Sequence, residues 1–268
     1  MDKFIDEALY NKRLGYYMKK NPFGEKGDYI TSPNISILFS EMIAIWTISF
    51  WENLSCPKKF NLIELGGGNG EMIKQMLSTF EKFPSFNNCC KINILEKSEY
   101  LKKIQKKKLK NKKVKWLRNL NEISSLPSIF IANEFFDALP VDQFVRKGDN
   151  FFKRVVQISN NNLEFGVEEK PTPNEILKDR LTDTYDGDIV ELNIAAAQIS
   201  KNIGKHITNF GGLAIFIDYG DWRSLGDTLQ AVKNHQYCDI FVSPGEADIT
   251  AHVDFEILAT NSGCTFSK

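Results

Sequence analysis

Asn61-Leu62-Ile63-Glu64-Leu65-Gly66-Gly67-Gly68-Asn69-Gly70 is the stretch on which the reading of this chain turns. It starts as a short apolar run, passes into spaced glycines, and leads into Glu71-Met72-Ile73-Lys74-Gln75-Met76-Leu77. The apolar residues at 72, 73, 76 and 77 have helical spacing, so the segment reads as strand, tight turn, helix. Glycine suits such a turn because the backbone needs positive φ and a ligand can approach with no Cβ in the way. The free N–H groups of the following helix then face the turn. A dinucleotide fingerprint, G-x-G-x-x-G, would need its third glycine at position 71, which is Glu71. The glycine falls at Gly70 instead, and Glu64 precedes the turn. A carboxylate there would repel a pyrophosphate, so a ligand with a positive centre is the better match.

The pattern E-x-G-x-G-x-G resembles the first motif of class I S-adenosylmethionine-dependent methyltransferases, whose cofactor carries a sulfonium and an ammonium and no phosphate. In that arrangement a second acidic residue is expected at the end of the next strand, on the ribose hydroxyls. Lys91-Ile92-Asn93-Ile94-Leu95-Glu96 supplies Glu96.

The bounds of the chain agree with one α/β domain carrying additions. It has 268 residues, 42% hydrophobic and 25% charged, enough for a sizeable core. Formal net charge is zero, which gives no support for nucleic acid or an anionic membrane as partner. The five cysteines lack C-x-x-C spacing, so a reducing compartment is expected. The most apolar run, Met42 to Trp51, is too short to span a bilayer. With no secretory or transit character at Met1-Asp2-Lys3-Phe4, the expected location is cytoplasmic.

Residues 1–56 read as an N-terminal helical extension and residues 57–268 as the main domain. Phe4, Ile5, Ala8 and Leu9 share one side of a first helix. Ser32-Pro33 is a helix start; the helix it opens is expected to reach about Leu54, with Ile35, Leu38, Met42, Ile45 and Trp46 as a core-facing stripe. Strands are expected near 60–65, 91–96, 113–117 and 128–132. The lysine-rich segment from Lys102 to Lys113 reads as the solvated face of a helix packed through Leu101 and Ile104. The fourth strand runs into Asn133-Glu134-Phe135-Phe136-Asp137-Ala138-Leu139-Pro140. In an open parallel sheet the ligand crevice lies at the carboxyl ends of the strands. Asn133, Glu134 and Asp137 are therefore candidate catalytic residues, the plainer reading being that Asn133 caps the next helix. Phe151–Ile158, Asn160-Asn161-Asn162 and Leu163–Val167 read as a β-hairpin, part of an insertion at about 141–185 beside the site. Leu192, Ala196, Ile199 and Ile203 have helical spacing over 191–206, and Leu213–Asp218 is a further buried strand. Val253–Thr260 is expected to be the last helix, Gly263 its stop, and Cys264-Thr265-Phe266 the start of another strand.

Several stretches together resemble one family. They are Gly15-Tyr16-Tyr17, Gly27-Asp28-Tyr29-Ile30-Thr31-Ser32-Pro33, the glycine turn, the Asn133–Pro140 stretch, Asp218-Tyr219-Gly220, Gly226-Asp227-Thr228-Leu229-Gln230-Ala231, and Pro244-Gly245-Glu246-Ala247-Asp248-Ile249-Thr250-Ala251-His252-Val253-Asp254-Phe255. This is similar to the MidA family of class I methyltransferases. Gly67 and Asn69 fill variable slots, and Asn34 stands where the family usually has Glu. The resemblance implies a Rossmann-like sheet with helices on both faces, a β-hairpin insertion and an N-terminal helical extension. Family members continue for many tens of residues, so the C-terminal strands are expected to be missing.

The resemblance also implies S-adenosyl-L-methionine as cofactor, held by Thr31, Ser32, Glu64, Gly66, Gly68, Gly70 and Glu96. Mitochondrial members are complex I assembly factors that methylate an arginine of an NADH dehydrogenase subunit. A protein substrate is therefore the expected partner, with a homodimer as a further option, no nucleic acid and no membrane insertion. The location becomes the mitochondrial matrix for a eukaryotic source. A guanidinium is always protonated, and carboxylates such as Glu134 and Asp137 can grip its fork. His235 and His252 are further candidate bases or ligands. Asp248, His252 and Asp254 lack metal spacing, so no metal is expected. The alternatives are a small-molecule methyltransferase, for which an enclosed pocket rather than a hairpin-lined cleft would argue, and a non-catalytic assembly protein retaining the fold.

Overall fold

The computed structural model describes residues 1–24, 27, 28, 31–173 and 175–267, with Ile176 described by its backbone alone. Tyr29 and Ile30 of the quoted loop lie outside the described residues. The chain enters through α1 (Asp2–Tyr10), α2 (Tyr16–Lys19), α3 (Ser32–Ile35) and α4 (Ile37–Asn53). Then come β1 (Phe60–Leu65), α5 (Glu71–Phe80), α6 (Pro84–Cys89), β2 (Cys90–Leu95), α7 (Glu99–Lys108), β3 (Val114–Leu117) and β4 (Ser128–Asn133). An antiparallel excursion follows: β5 (Asp142–Lys147), β6 (Asn150–Ser159), β7 (Asn162–Val167), α8 (Glu175–Asp179) and β8 (Ile189–Leu192). The chain returns through α9 (Ile194–Phe210) into β9 (Gly212–Ile217). Short elements complete it: β10 (Gly220–Asp221), β11 (Gln230–Lys233), β12 (Gln236–Cys238), β13 (Asp248–Thr250), β14 (Val253–Asp254) and α10 (Phe255–Ser262).

The centre is a parallel sheet in the order β3-β2-β1-β4-β9, with a four-stranded antiparallel sheet, β7-β6-β5-β8, formed by the excursion. Every residue of β1 is buried, as expected of a strand covered on both faces. Phe60, Leu62, Ile92 and Ile94 pack with α4, α5 and α6 through Ile48, Trp51, Ile73, Phe80 and Phe86. Ile63, Leu65, Phe130 and Ala132 pack on the other side with Ala196, Ile203 and Leu258 of α9 and α10. Burying one such side chain is worth ~1.5–3 kcal/mol, so these two layers fix the sheet. The register sets Leu65 beside Leu95 and Ala132. Gly66, Glu96 and Asn133 consequently emerge together at one edge, where the crevice of an open sheet lies.

Four expectations are corrected. The helix from Ser32 breaks at Ser36, whose extended backbone and hydroxyl cap the second piece by accepting from Leu38 N. The supposed core stripe on it is largely outside: Ile35, Leu38, Met42 and Ile45 are 71%, 64%, 67% and 43% exposed, while Ala44, Ile48 and Trp51 are buried. Residues 191 and 192 belong to β8 and not to a helix, because Asn193 caps α9 by accepting from Ala196 N; the antiparallel excursion therefore extends to Leu192. Residues 264–266 form no strand, although Gly263, with φ 65°, does end α10.

Candidate functional site

The glycine turn joins β1 to α5. Gly66 N–H donates to Leu95 O (2.9 Å), and Gly70 N–H donates to Gly67 O (2.7 Å). Gly66, Gly68 and Gly70 have φ of 68°, 49° and 78°, the left-handed region that glycine enters freely. A Cβ on Gly66 would lie 2.7 Å from the Phe135 ring, and one on Gly67 2.7 Å from Ile94 Cγ2. Gly67, taken from the sequence as a variable slot, is thus sterically required. Gly70 sits under the Gln105 side chain at the start of α5 and lines no cavity.

Glu96 is buried at the end of the second strand. Its Oε1 accepts from Ser98 N–H and its Oε2 from Gln105 Nε2, both at 2.9 Å. Burial raises its carboxyl, and those two bonds oppose the rise. Gln105 also donates to Gly68 O (2.9 Å) and accepts from Trp116 Nε1 (2.8 Å). It ties the glycine turn to Glu96, a role the sequence reading missed; the signal was a polar residue inside the apolar spacing of α7. Glu64 is 3% exposed. Burial, with the Glu96 charge adding to it, pushes its carboxyl up to about 8. Its Oε2 has no hydrogen-bond partner in the structure, and neither does the buried Asn133 Oδ1.

Two adjoining cavities open here. The larger, about 470 Å³, is bordered by Gly66, Gly68, Glu96, Lys97, Arg118, Asn119, Glu134 and Phe135, with Tyr10, Tyr17 and Phe23 from the N-terminal segment. The smaller, about 50 Å³, is bordered by Thr31, Pro33, Asn34, Glu64, Gly66, Gly68, Asn133 and Glu134. Thr31 Oγ1 accepts from Asn34 Nδ2 (2.7 Å), and Asn69 Nδ2 donates to Asn34 Oδ1 (3.3 Å), which seats this segment on the glycine turn. Ser32 reaches the site through its backbone, its N–H donating to Glu134 Oε1 (3.4 Å).

Glu134 follows β4 with φ 49°, an uncommon conformation for a residue with a side chain. Its N–H donates to Ile217 O (2.8 Å), and its Oε1 accepts from Asn133 Nδ2 (3.2 Å). Asp218 holds the turn that follows: its Oδ2 accepts from the N–H groups of Phe135, Phe136 and Asp137 at 3.1, 2.8 and 3.4 Å. Asp137 lies behind the cavity wall and does not line it. Its carboxyl is raised well above the usual range by burial, then by the charges of Asp218, Asp248 and Glu134. Burial raises Asp218 as well, against the backbone N–H groups it accepts from. No lysine or arginine forms an ion pair with Glu64, Glu134, Asp137, Asp218 or Asp248 among the described residues. Tyr10, Tyr17 and Phe23 form a row of rings, centroids 5.7 and 6.2 Å apart, that borders the larger cavity and reaches the glycine turn through Phe23. The sequence quoted Tyr16-Tyr17 without assigning it there; bringing α2 over the sheet edge requires the tertiary fold.

A buried carboxylate with an unpartnered oxygen, beside a glycine turn and uncompensated negative charge, suits a ligand with a cationic centre. His235 and His252 are exposed and line none of these cavities. Among the described residues no group of three His, Cys, Asp or Glu side chains is placed to hold a metal ion. The hairpin expected beside the site lines neither cavity; Val156 and Phe165 pack toward α1 and Phe241. Among the described residues no helix is long and apolar enough to cross a membrane.

Comparison with known proteins bears on this arrangement. Residues 42–265 match the family described as "Putative S-adenosyl-L-methionine-dependent methyltransferase". The chain is 30% identical over 285 residues to the mitochondrial protein arginine methyltransferase NDUFAF7 of Xenopus laevis, covering 96% of this chain and 65% of that protein. It is 32% identical over 283 residues to the Homo sapiens protein of the same name, covering 96% and 64%. The chain thus spans just under two thirds of the length of these curated relatives. The fold matches a COG1565 superfamily protein of Burkholderia thailandensis, bound there to S-adenosyl-homocysteine, with a TM-score of 0.83 at 24% identity, covering 98% of this chain and 70% of that one.

Proposed function

We propose that this chain, which belongs to the S-adenosyl-L-methionine-dependent methyltransferase family, methylates an arginine side chain of a protein. The observation that carries this reading is the cluster of carboxyl groups at the carboxyl edge of the sheet that have no lysine or arginine ion-pair partner among the described residues. Glu64 has an unpartnered buried oxygen beside the glycine turn. Burial and then the charges of Asp218, Asp248 and Glu134 raise the Asp137 carboxyl. Two cationic ligands answer this pattern, one over the glycine turn and one at Glu134.

Gly66 and Gly68 give backbone access to the cofactor, Glu96 takes its ribose hydroxyls, and Glu64, Asn133 and Thr31 border its amino-acid end. When bound, S-adenosyl-L-methionine supplies an electrophilic methyl group on a sulfonium. The chain contributes alignment, which is worth up to ~7–11 kcal/mol when reacting atoms are held in near-attack geometry. Glu134 grips the guanidinium fork and draws its charge toward the far nitrogens. Phe135 and the tyrosine wall exclude water, which strengthens that contact. Asp218 keeps Glu134 in place by accepting the three N–H groups behind it.

The relatives' names point to a mitochondrial protein substrate, and the MidA resemblance to an NADH dehydrogenase subunit; both are part of the proposal. A eukaryotic source would put the chain in the mitochondrial matrix, any other in the cytoplasm. A small-molecule acceptor is the second reading, favoured by a cavity walled by the N-terminal helices and not by the hairpin. Incubation with methyl-labelled cofactor and host-cell extract separates the two. Label recovered as methylarginine after hydrolysis of the protein fraction is the expected result; label in the small-molecule fraction alone would favour the second reading.

A further inference from the structure

Asp248 lies within the Pro244–Phe255 stretch, at the start of β13, and is 4% exposed. Both of its oxygens accept from the Tyr17 hydroxyl, at 2.8 and 2.7 Å. Tyr17 borders the larger cavity together with Glu134, whereas Asp248 does not. Tyr17 therefore links the cavity lining to the Asp248 carboxylate. Its ring is held on three sides, stacked with Tyr10 (5.7 Å) and Phe23 (6.2 Å) and edge-on to Tyr16 (5.1 Å). The same wall is pinned to the acidic loop: Tyr10 Oη donates to Ala138 O (3.0 Å), and Ala251 N–H donates to Asp137 O (3.0 Å).

We propose that Tyr17 and Asp248 form a proton relay that takes up the proton released when the acceptor nitrogen is methylated. The proposal rests on the methyltransferase reading above. A guanidinium or ammonium that forms a new N–C bond must lose one N–H proton to keep its charge, while the electrons of the broken S–C bond stay on sulfur. That proton goes to Tyr17 Oη as the tyrosine's own proton moves to Asp248, and it leaves for solvent when the site opens. No further reactant is needed. Glu134 fixes the acceptor and cannot serve both roles, since protonating it would release the fork it holds.

The surroundings suit Asp248 to this task. Burial pushes its carboxyl up to about 7, while the Tyr17 hydrogen bond opposes the rise. The groups facing the pair are Lys20 and Asp28 from the N-terminal segment, with Tyr10 from α1 and Asp137 from the acidic loop. A group that exchanges its proton near neutral pH is the efficient base there. The Tyr17 hydroxyl is raised by burial first and by Asp248 next, so it stays protonated and passes its proton on only as it receives another.

Two measurements on the full chain test this. Carboxyl carbon-13 NMR of the empty protein should show an aspartate signal titrating near neutrality that is absent in Asp248→Asn and shifted upward in Tyr17→Phe, which removes the bond that stabilises the charged form. Methyl transfer from labelled cofactor to protein in host-cell extract should fall by about 10²-fold or more in Tyr17→Phe. Cofactor affinity by calorimetry should stay close to the parent's, while the melting temperature should fall because buried Asp248 loses its donor. In the parent the rate should rise with pH as Asp248 loses its proton, and this rise should flatten in Asp248→Asn. Parent-like rate and pH profile in Tyr17→Phe, or an Asp248 signal titrating in the ordinary carboxylate range, overturns the relay alone. A parent that binds no S-adenosyl-L-methionine overturns the methyltransferase reading and the relay with it.

Discussion

Glu64→Gln should make the empty protein more stable at neutral pH and a poorer binder of cofactor. The folded protein holds the Glu64 carboxyl up to about 8 against an ordinary value of 4.5, because burial penalises its charge and Glu96 repels it. Glu64 thus keeps its proton more tightly folded than unfolded. Unfolding releases that proton between these two values, so stability falls as pH rises through the window. The slope for one proton is ~1.4 kcal/mol per pH unit. Accumulated from 4.5 to 7, the loss is about 3 kcal/mol, and below 4.5 it vanishes. Glutamine keeps the shape of the protonated acid and has no proton to release, so the variant should recover that amount at pH 7 and nothing at pH 4.5. Other raised carboxyls, such as Glu96 and Asp248, tilt the stability curve in the same direction. The informative quantity is therefore the difference between variant and parent, read from urea unfolding at several pH values between about 5 and 8. A cationic ligand reverses the preference by favouring ionised Glu64, so cofactor binding by the parent should release protons and tighten with pH. Stabilities of parent and variant that run parallel across the window would show instead that Glu64 is ionised in the empty protein.

The other predictions concern the walls of the site. Gly68→Val puts a β-branched residue at φ 49° and its methyl groups between the turn and Phe23; the strain should cost ~1–3 kcal/mol of stability, and calorimetry should find S-adenosyl-L-methionine binding lost. Binding as tight as the parent's would mean that the cofactor does not lie on this turn. Gln105→Leu removes the donor shared by Glu96 Oε2 and Gly68 O. It should lower stability by ~1–3 kcal/mol for the unsatisfied buried groups and weaken cofactor binding, measured by melting with and without ligand; equal ligand-induced shifts in both proteins would exclude a role for Gln105 in shaping the site.

The parallel sheet was legible because β1, β4 and β9 are short, mostly apolar runs next to glycine, lysine or proline and β2 and β3 alternate apolar with polar residues, and the carboxyl-edge residues lie at or just past their ends. Glu64, Glu96, Asn133 and Glu134 all sit at the ends of such strands, so finding the strands found them. The stripe on α4 was misread for a physical reason. That helix is apolar around most of its circumference, and only the position of α5 and the sheet decides that Ala44 and Ile48 face inward while Leu38 and Met42 face out. Leu192 joined a helical spacing by coincidence with Ala196, since a period of three to four residues continues through the Asn193 cap. Sheet pairing of β11 with β13 links residues 230–232 to 248–250, beyond the reach of any local pattern. Gln105, Asp218 and Tyr17 reach the site from three separate parts of the chain, and only the tertiary fold brings them together. The antiparallel hairpin was visible as two β-rich runs, but its packing against α1 and Phe241 was not.

The Glu134 carboxylate is proposed to engage the methyl acceptor and not the cofactor. Glu134→Gln preserves the shape of the side chain and the reach of its carbonyl to Ser32 N–H and Asn133 Nδ2, removing only the charge. Calorimetric titration with S-adenosyl-L-methionine and the initial rate of label transfer to protein in host-cell extract should be measured together on parent and variant. Cofactor affinity should be nearly unchanged and the rate lower by ~10²–10³, the usual cost of losing one such contact. Unchanged affinity with unchanged turnover would contradict it and leave Glu134 as a structural residue at a strand end.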